Sequence, residues 1–157
     1  MRPFIIVVAM VVSMTGLSAC DGPSAPAPGS RTVNIGGPFS LTDTAGRPFT
    51  DRNLLGKPTA IFFGFTYCPE ICPTTLAEMT TALEALGPDA DKLNVVFVSV
   101  DPERDTQTQM RDYLSNFDRR IIGLSGSAEA IAAAAKVYRI YYQKVPTEGG
   151  AYTMDHS

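Results

Sequence analysis

Apolar and polar residues along this chain form blocks that predict strands and helices in alternation. Two uninterrupted apolar runs, at residues 59–65 and 93–100, are typical of strands buried on both faces in an α/β sheet. A helix is predicted after the first run, beginning near Pro73 and ending at Gly87-Pro88. Its buried stripe has helical spacing and consists of Leu76, Met79, Leu83 and Leu86.

The rest of the chain predicts shorter elements. Before the first apolar run we expect a short strand and turn at 32–40, a hairpin at 41–48 and a helical turn at 51–56. After the second run we expect a helix with a capping box of Thr106 and Gln109, a strand at 121–124 and a helix capped by Ser127. An extended aromatic segment at 139–144, a loop at 146–150 and a strand at 152–156 complete the pattern. Strands that alternate with helices indicate a parallel core in a three-layer α/β domain.

The N-terminal residues predict an export signal. Arg2, an apolar stretch at 4–12 and the small residues before Cys20 fit a secretory signal peptide over residues 1–19. Because this segment ends in Leu-Ser-Ala-Cys, it looks like a bacterial lipoprotein signal, with cleavage before Cys20 and a lipid on its sulfur. The alternative is an ordinary signal peptide. We therefore expect attachment to a bacterial cell membrane, on its periplasmic or extracytoplasmic face.

Residues 20–30, rich in Pro, Gly, Ser and Ala, predict a flexible linker that holds the domain away from the membrane. The remaining residues, 31–157, are enough for one domain with a sizeable core. With 13 basic and 16 acidic residues, the chain has a formal net charge of −3. This charge does not favour nucleic acid as a partner.

One pair of cysteines carries the chemistry. Cys68 and Cys72, each followed by proline, lie between the first predicted strand and its helix. A structural disulfide is a poor explanation, because closing so short a loop stabilises little. Thin apolar cover and a helix N-terminus favour a thiolate here. On a helical turn, residues four apart place both sulfurs on one face, where they can share an ion or form a disulfide. A redox or metal site is therefore expected.

Two further residues are candidates for this site. His156 is the single histidine of the chain, and an imidazole suits copper and zinc alike. The alternative is an ordinary exposed residue near the end of the chain, and nothing local in the sequence links His156 to the cysteines. Asp101 follows the second apolar strand, as Cys68 follows the first. If these strands are neighbours, both residues lie at the carboxyl edge where α/β sheets form their sites.

Four blocks, taken in order, resemble the Sco/SenC family of copper-binding, thioredoxin-like proteins. Residues 56–76 (GKPTAIFFGFTYCPEICPTTL) resemble its active-site segment, and residues 99–106 (SVDPERDT) resemble its SVDPxRDT segment. Residues 138–142 (YRIYY) and 152–157 (YTMDHS) resemble its YRVYY-like and histidine-bearing segments. The resemblance covers about residues 31–157.

The resemblance implies a thioredoxin-like fold in which Cys68, Cys72 and His156 bind one copper ion. Cu(I) would take these three ligands, and Cu(II) would add a fourth. Asp101 matches an acidic residue near the family's site, where it would tune or orient a ligand. Its alternative role is that of a turn former and helix cap at the end of a strand.

The implied function is delivery of copper to the binuclear copper centre of a cytochrome c oxidase subunit. Other copper carriers or thiol reductants would be further partners, and oxidation of the pair to a disulfide would block copper binding. The alternative is a thiol-disulfide reductase that keeps the oxidase cysteines reduced. Two other classes are weaker: a peroxidase, because the spacing before Cys68 does not match, and a zinc site, which needs a fourth ligand such as Asp101.

One departure from the family concerns length. Family members continue for some tens of residues beyond the histidine, whereas this sequence stops at Ser157. A fold truncated at the C-terminus would expose a sheet edge and leave His156 near a free end. We therefore expect this chain to bind copper more weakly than a full-length relative.

Overall fold

The computed structural model describes residues 35–157. The predicted signal peptide at 1–19, the lipid on Cys20 and the linker at 20–30 lie outside the described residues. Within them, the observed elements alternate as the sequence pattern predicts.

A five-stranded sheet forms the centre of the domain. Its order is β2-β1-β5-β4-β3. The strands β3, β4 and β5 run parallel, and β1 is antiparallel to both β5 and β2. The parallel core predicted from the sequence is therefore present. The strand bounds are β1 Ser40–Asp43, β2 Pro48–Thr50, β3 Thr59–Gly64, β4 Asn94–Ser99 and β5 Ile121–Ser125.

Three α-helices and a separate hairpin complete the described fold. The helices are α1 Ile71–Leu86, α2 Gln107–Leu114 and α3 Ala128–Tyr138, and short 3-10 turns cover Asp51–Leu54, Gly87–Lys92 and Glu148–Gly150. The strands β6 (Tyr142–Pro146) and β7 (Tyr152–His156) pair antiparallel as a two-stranded sheet.

The alternation of side chains along β4 divides the core into two apolar layers. Val95 and Phe97 pack with residues of α1 and α2. Val96 and Val98 point the other way and pack with Ile131 of α3. A sheet covered on both faces by helices is the three-layer arrangement that the sequence predicts.

Local turn chemistry agrees with the predicted boundaries. The Asp43 carboxylate accepts hydrogen bonds from the amides of Ala45 and Arg47, both at 2.9 Å, and so shapes the β1–β2 turn. Ser127 caps α3 by accepting the amide of Ala130 at 3.2 Å. Gly87 follows the last residue of α1, where the sequence predicts the helix to end.

Two predictions about these elements were wrong, and a third is tested only in part. Residues 35–39 form no strand and β1 begins at Ser40, whereas residues 32–34 of the predicted strand lie outside the described residues. The first four residues of β3 are half-buried rather than buried, since β3 lies at the edge of the described sheet. Leu86, the last residue of α1, is exposed, whereas Leu76 and Leu83 of the same predicted stripe are buried.

Candidate metal centre

The carboxyl ends of β3 and β4 lie side by side and carry the candidate residues. Gly64 pairs with Ser99 at the end of the parallel ladder, and the amide of Val100 donates to the carbonyl of Gly64 at 2.8 Å. The segments that contain Cys68 and Asp101 leave the sheet at these two points. The predicted neighbourhood of the two strand ends is therefore confirmed.

Cys68 lies in the loop that connects β3 to α1, and Cys72 is the second residue of α1. The Cys68 amide donates to the carbonyl of Phe65 at 3.2 Å, which closes a turn. The Cys72 amide donates to the sulfur of Cys68 at 3.4 Å. The spacing predicted that both residues lie on one helical turn. Instead, Cys68 precedes α1, and the contact is a hydrogen bond from the Cys72 amide to the Cys68 sulfur. Both thiols are free.

The two sulfurs differ in their surroundings. Cys68 is half-buried, whereas Cys72 is fully buried. A Cβ atom on Gly64 would lie 2.8 Å from the Cys72 sulfur, so the absence of a side chain at Gly64 allows this sulfur to pack against β3. Burial, and then the contact with the Cys68 thiol, raise the pKa of Cys72 to about 12. For Cys72 the expectation of a thiolate was therefore wrong, because its apolar cover is complete rather than thin.

His156 is the last residue of β7 and is half-buried. Its ring meets the ring of Phe65 edge to face, with centroids 5.7 Å apart. Its Nδ1 lies 3.4 Å from the carbonyl oxygen of Met154. His156 also lines a cavity of about 280 Å³ together with Ile71, which directly precedes Cys72 in the chain. The fold thus brings His156 to the end of the domain that carries the cysteines.

The cysteine pair and the histidine are near neighbours without forming a closed cluster. Within residues 35–157, the side chains form no group of three or more His, Cys, Asp or Glu residues positioned to hold a metal ion together. Cys68 and Cys72 touch, and His156 lies against Phe65, three residues before Cys68. The three-ligand site stays a prediction that requires His156 to approach the sulfurs.

Asp101 is buried and organises the surroundings of the pair. Its carboxylate accepts hydrogen bonds from the hydroxyl of Tyr152, at 2.9 Å, and from Nε of Arg104. Tyr152 begins β7, the strand that ends in His156. Thr106, and not Asp101, caps α2, because the Thr106 hydroxyl accepts the amide of Gln109 at 3.2 Å. Asp101 therefore connects the end of β4 to the strand that carries the histidine.

The predicted capping box at α2 is only half present. The Gln109 side chain donates to the hydroxyl of Thr66 at 3.3 Å instead of returning to the amide of Thr106. Gln109 thereby supports the loop that leads to Cys68.

Sequence reasoning missed Asp105, a buried carboxylate under this loop. It accepts hydrogen bonds from the hydroxyl of Ser99 at 2.6 Å, the hydroxyl of Thr66 at 2.7 Å and the amide of Thr66 at 3.0 Å. Burial raises the pKa of Asp105, although these hydrogen bonds oppose the shift. The available signal was its position four residues after Asp101, at the same strand end.

Sequence reasoning also gave no individual role to Arg104 and Tyr152. The Arg104 guanidinium carbon lies 3.7 Å from the ring centroid of Tyr152 and 4.8 Å from that of Tyr67. Hydrogen bonding to the Asp101 carboxylate contributes to a raised pKa of about 12 for Tyr152, after the larger effect of burial. A sequence signal did exist, since both residues belong to blocks that resemble a known family.

The helices in the described part of the chain give no membrane-crossing segment, because each is too short or too polar for one.

A family model described as SCO1/SenC matches residues 27–157. The chain is 42% identical over 147 residues to Protein SCO1 homolog 1, mitochondrial, of Arabidopsis thaliana, a match that covers 93% of this chain and 42% of the relative. The chain spans about half the length of the curated relatives it matches.

Solved structures agree with this match. The structure of Bradyrhizobium japonicum ScoI with copper bound is 57% identical to this chain, with a TM-score of 0.76 over 78% of each chain. A structure of BsSco, described as a member of the Sco family of cytochrome c oxidase assembly proteins, has a TM-score of 0.58. At 23% identity over 79% of this chain and 84% of that one, it shows the fold alone. The fold is thioredoxin-like, as predicted, and the chain belongs to the SCO1/SenC family.

Proposed function

We propose that this chain is a copper carrier that binds copper through Cys68, Cys72 and His156. The observation that carries the proposal is the free cysteine pair, whose sulfurs are brought together at the end of the domain where β7 presents His156. The structure of Bradyrhizobium japonicum ScoI, 57% identical to this chain, contains copper. Family membership and this relative support copper as the cargo.

The donor set fits a soft monovalent cation. Thiolates are soft ligands, and an imidazole nitrogen suits copper as well. Two sulfurs and one nitrogen give Cu(I) three ligands, and Cu(II) would take one more. Because the three side chains do not yet form a metal-holding group, binding requires the Cys68 loop and the His156 side chain to move toward each other. Since β6 and β7 form a sheet of their own among the described residues, such a shift leaves the five-stranded sheet intact.

The cargo must be released as well as held. Cys68 is half-buried and precedes α1. Tyr67, directly before it, and Ile71, three residues after it, are both exposed. A partner thiolate or imidazole can therefore approach a copper ion from this side and take a coordination place before Cys68 leaves. The client of this exchange would be the copper-bearing subunit of cytochrome c oxidase, consistent with the description of the Sco family as assembly proteins of that enzyme.

The proposal includes a membrane tether. Cleavage of residues 1–19 would leave Cys20 as a lipidated first residue, and the linker at 20–30 would let the domain reach the oxidase on the periplasmic or extracytoplasmic face. Radiolabelled palmitate that is incorporated into the chain and lost in Cys20→Ser would support the tether. Equal labelling of both proteins would refute it.

Anaerobic copper titration of the reduced full chain tests the ligand set. We expect stoichiometric copper in the parent chain, only weak residual binding in Cys68→Ser and Cys72→Ser, and a smaller loss of affinity in His156→Ala. Asp155→Asn is the matched control, because Asp155 is exposed and adjacent to His156. Copper retained at full affinity in His156→Ala would remove the histidine from the ligand set.

A thiol-disulfide reductase is the second candidate, favoured by the unequal burial of the pair. The half-buried Cys68 sulfur can attack a client disulfide, and the buried Cys72 can then attack Cys68 to release the client. Two electrons pass to the client, whose two thiols also gain two protons, and a dithiol donor must then reduce the Cys68–Cys72 disulfide. His156→Ala separates the candidates, because it should weaken copper delivery and spare this exchange.

A further inference from the structure

Arg104 lies between the two segments that carry the proposed ligands. Its guanidinium carbon is 4.8 Å from the ring centroid of Tyr67, the residue before Cys68. It is 3.7 Å from the ring centroid of Tyr152, the first residue of β7. A guanidinium stacks well on aromatic faces, and its plane can serve two rings at once. One side chain thus contacts both the cysteine loop and the histidine strand.

Polar contacts fix the orientation of this guanidinium. Its Nε donates to the Asp101 carboxylate, and its Nη1 donates to the backbone carbonyl of Tyr152 at 2.9 Å. The Tyr152 hydroxyl closes a triangle by donating to the other carboxylate oxygen of Asp101 at 2.9 Å. The side chains of Arg104 and Asp101 are 23% and 3% exposed, so water screens this ion pair little. The backbone and the side chain of Tyr152 are therefore both held.

A third contact joins the guanidinium to a ring that the histidine also contacts. The Arg104 guanidinium carbon lies 5.7 Å from the ring centroid of Phe65, and the ring centroid of His156 is also 5.7 Å from that of Phe65. Nη2 of Arg104 is buried and has no hydrogen-bond partner among the described residues. The guanidinium is therefore held by contacts with aromatic rings as well as by the hydrogen bonds of Nε and Nη1.

The β6–β7 hairpin depends on side-chain contacts for its position. In the described part of the chain it pairs only with itself and not with the five-stranded sheet. Met154 packs into the core, and Lys144 forms an exposed ion pair with Glu103. Exposed ion pairs of that kind contribute little. The Arg104 contacts with Tyr152 therefore add a polar attachment of β7 to the apolar packing of Met154, Tyr142 and Tyr152.

We propose that Arg104 is a positioning residue that sets the distance between His156 and the Cys68–Cys72 pair. This inference rests on the proposed copper site and adds a residue that tunes it without touching the metal. Loss of the guanidinium would free β7 at Tyr152 and release Tyr67 from the same contact. The histidine would then reach copper at a greater cost in ordering, and affinity would fall.

Arg104→Lys is the informative variant, because lysine keeps the positive charge and a contact with an aromatic ring. It cannot donate in one plane to Asp101 and to the Tyr152 carbonyl. If charge alone mattered, Arg104→Lys would bind copper like the parent. Arg111→Lys is the matched control, since Arg111 is exposed on α2 and donates to the carbonyl of Thr44, far along the chain from the ligands.

The test is a double-mutant cycle on Cu(I) affinity, measured with the reduced full chain against a chromophoric Cu(I) chelator. We expect Arg104→Lys to lose about tenfold in affinity, the lower end of the range for residues that orient metal ligands. In the His156→Ala background, Arg104→Lys should cause no further loss of Cu(I) affinity. Equal losses in both backgrounds would mean that Arg104 does not act through His156 and would overturn the proposal.

A metal-free readout separates positioning from general stability. Amide hydrogen exchange in Arg104→Lys should accelerate at β7 and stay unchanged in β4, whereas a merely destabilising change would accelerate both. If Arg104→Lys fails to fold, Tyr152→Leu removes the same stacking and the Asp101 hydrogen bond and enters the same cycle. Unaltered affinity in Arg104→Lys, with weaker binding in His156→Ala, refutes the positioning role and leaves the proposed function standing. Unaltered affinity in His156→Ala refutes both.

Discussion

The backbone amide of Cys72 donates a hydrogen bond to the sulfur of Cys68 at 3.4 Å. This contact places the Cys68 sulfur at the N-terminus of α1, where amide groups have no partner within the helix. Cys72 itself is turned into the core, behind Gly64. The pair therefore consists of one accessible sulfur and one shielded sulfur, and several properties should follow from that difference.

The first prediction concerns alkylation of the reduced, metal-free chain. Cys72 is fully buried and its pKa is raised to about 12, so at pH 8 its thiolate fraction is roughly one in ten thousand. Iodoacetamide should therefore label Cys68 well before Cys72. Peptide mapping by mass spectrometry measures each site separately.

Two variants serve as controls for this labelling. Cys72→Ser should keep the rapid labelling that we assign to Cys68, and Cys68→Ser should lose it. Equal labelling rates at Cys68 and Cys72 in the parent chain would contradict the burial seen here.

The second prediction concerns Gly64. A methyl group there would lie 2.8 Å from both the Cys72 sulfur and the ring of Phe97, which is closer than normal packing allows. Gly64→Ala should therefore displace Cys72 and lower the free energy of unfolding by about 1–3 kcal/mol. Urea denaturation measures this change.

Gly37→Ala is the matched control for Gly64→Ala. Its Cβ would meet the Cβ of Val137 at 3.3 Å, so its neighbour need move by only a few tenths of an ångström. We expect Gly37→Ala to change the free energy of unfolding by no more than about 1 kcal/mol. If Gly64→Ala cost no more than Gly37→Ala, the close packing of Cys72 against β3 would be wrong.

Much of the fold was predictable because local patterns and tertiary demands agree. The apolar runs at 59–65 and 93–100 became adjacent parallel strands, and their adjacency put the segments with Cys68 and Asp101 at one edge. The ends of α3 and α1 were predictable because capping is local. The Ser127 hydroxyl accepts a backbone amide three residues ahead, and the Gly87 amide donates to a carbonyl three residues back.

What the sequence could not provide was the set of contacts that depend on three-dimensional packing. The burial of Cys72 requires a glycine eight residues earlier, on the strand against which its sulfur packs. The role of Asp105 depends on hydroxyl groups of Thr66 and Ser99 that come together only in the folded chain. The distance from His156 to the sulfurs depends on side chains that position a separate hairpin, and no spacing rule gives that distance.

The third prediction concerns the pH dependence of stability through Asp105. Burial raises the folded pKa of Asp105 above its ordinary value of 3.8. The folded chain then binds more protons than the unfolded chain between those two values. The contribution of Asp105 is therefore most favourable below pH 3.8 and is lost as pH rises through the folded pKa.

Asp105→Asn isolates this contribution. The free energy of unfolding of the parent minus that of the variant should fall as pH rises from 4 to 7, measured by urea denaturation at each pH. Asp43 and Asp118 have lowered pKa values and oppose this trend in the parent alone, but they cancel in the difference. A difference that does not change with pH would show that Asp105 titrates alike in both states.

The fourth prediction links copper binding to proton release. A thiol must lose its proton to ligate copper, and burial keeps Cys72 protonated at neutral pH, since its pKa is about 12. Binding at Cys72 therefore releases at least one proton, and Cu(I) affinity should rise by at least about tenfold per pH unit between pH 6 and 8. Competition with a chelator whose own pH dependence is known measures this slope.

The variants identify the group that releases the proton. Cys72→Ser should bind more weakly and with a slope shallower by about one proton, because the serine hydroxyl does not ionise in this range. Asp155→Asn, which alters an exposed neighbour of His156, should keep the parent slope. A parent affinity that does not depend on pH would mean that copper does not displace the Cys72 proton, and the buried sulfur would then be a packing residue rather than a ligand.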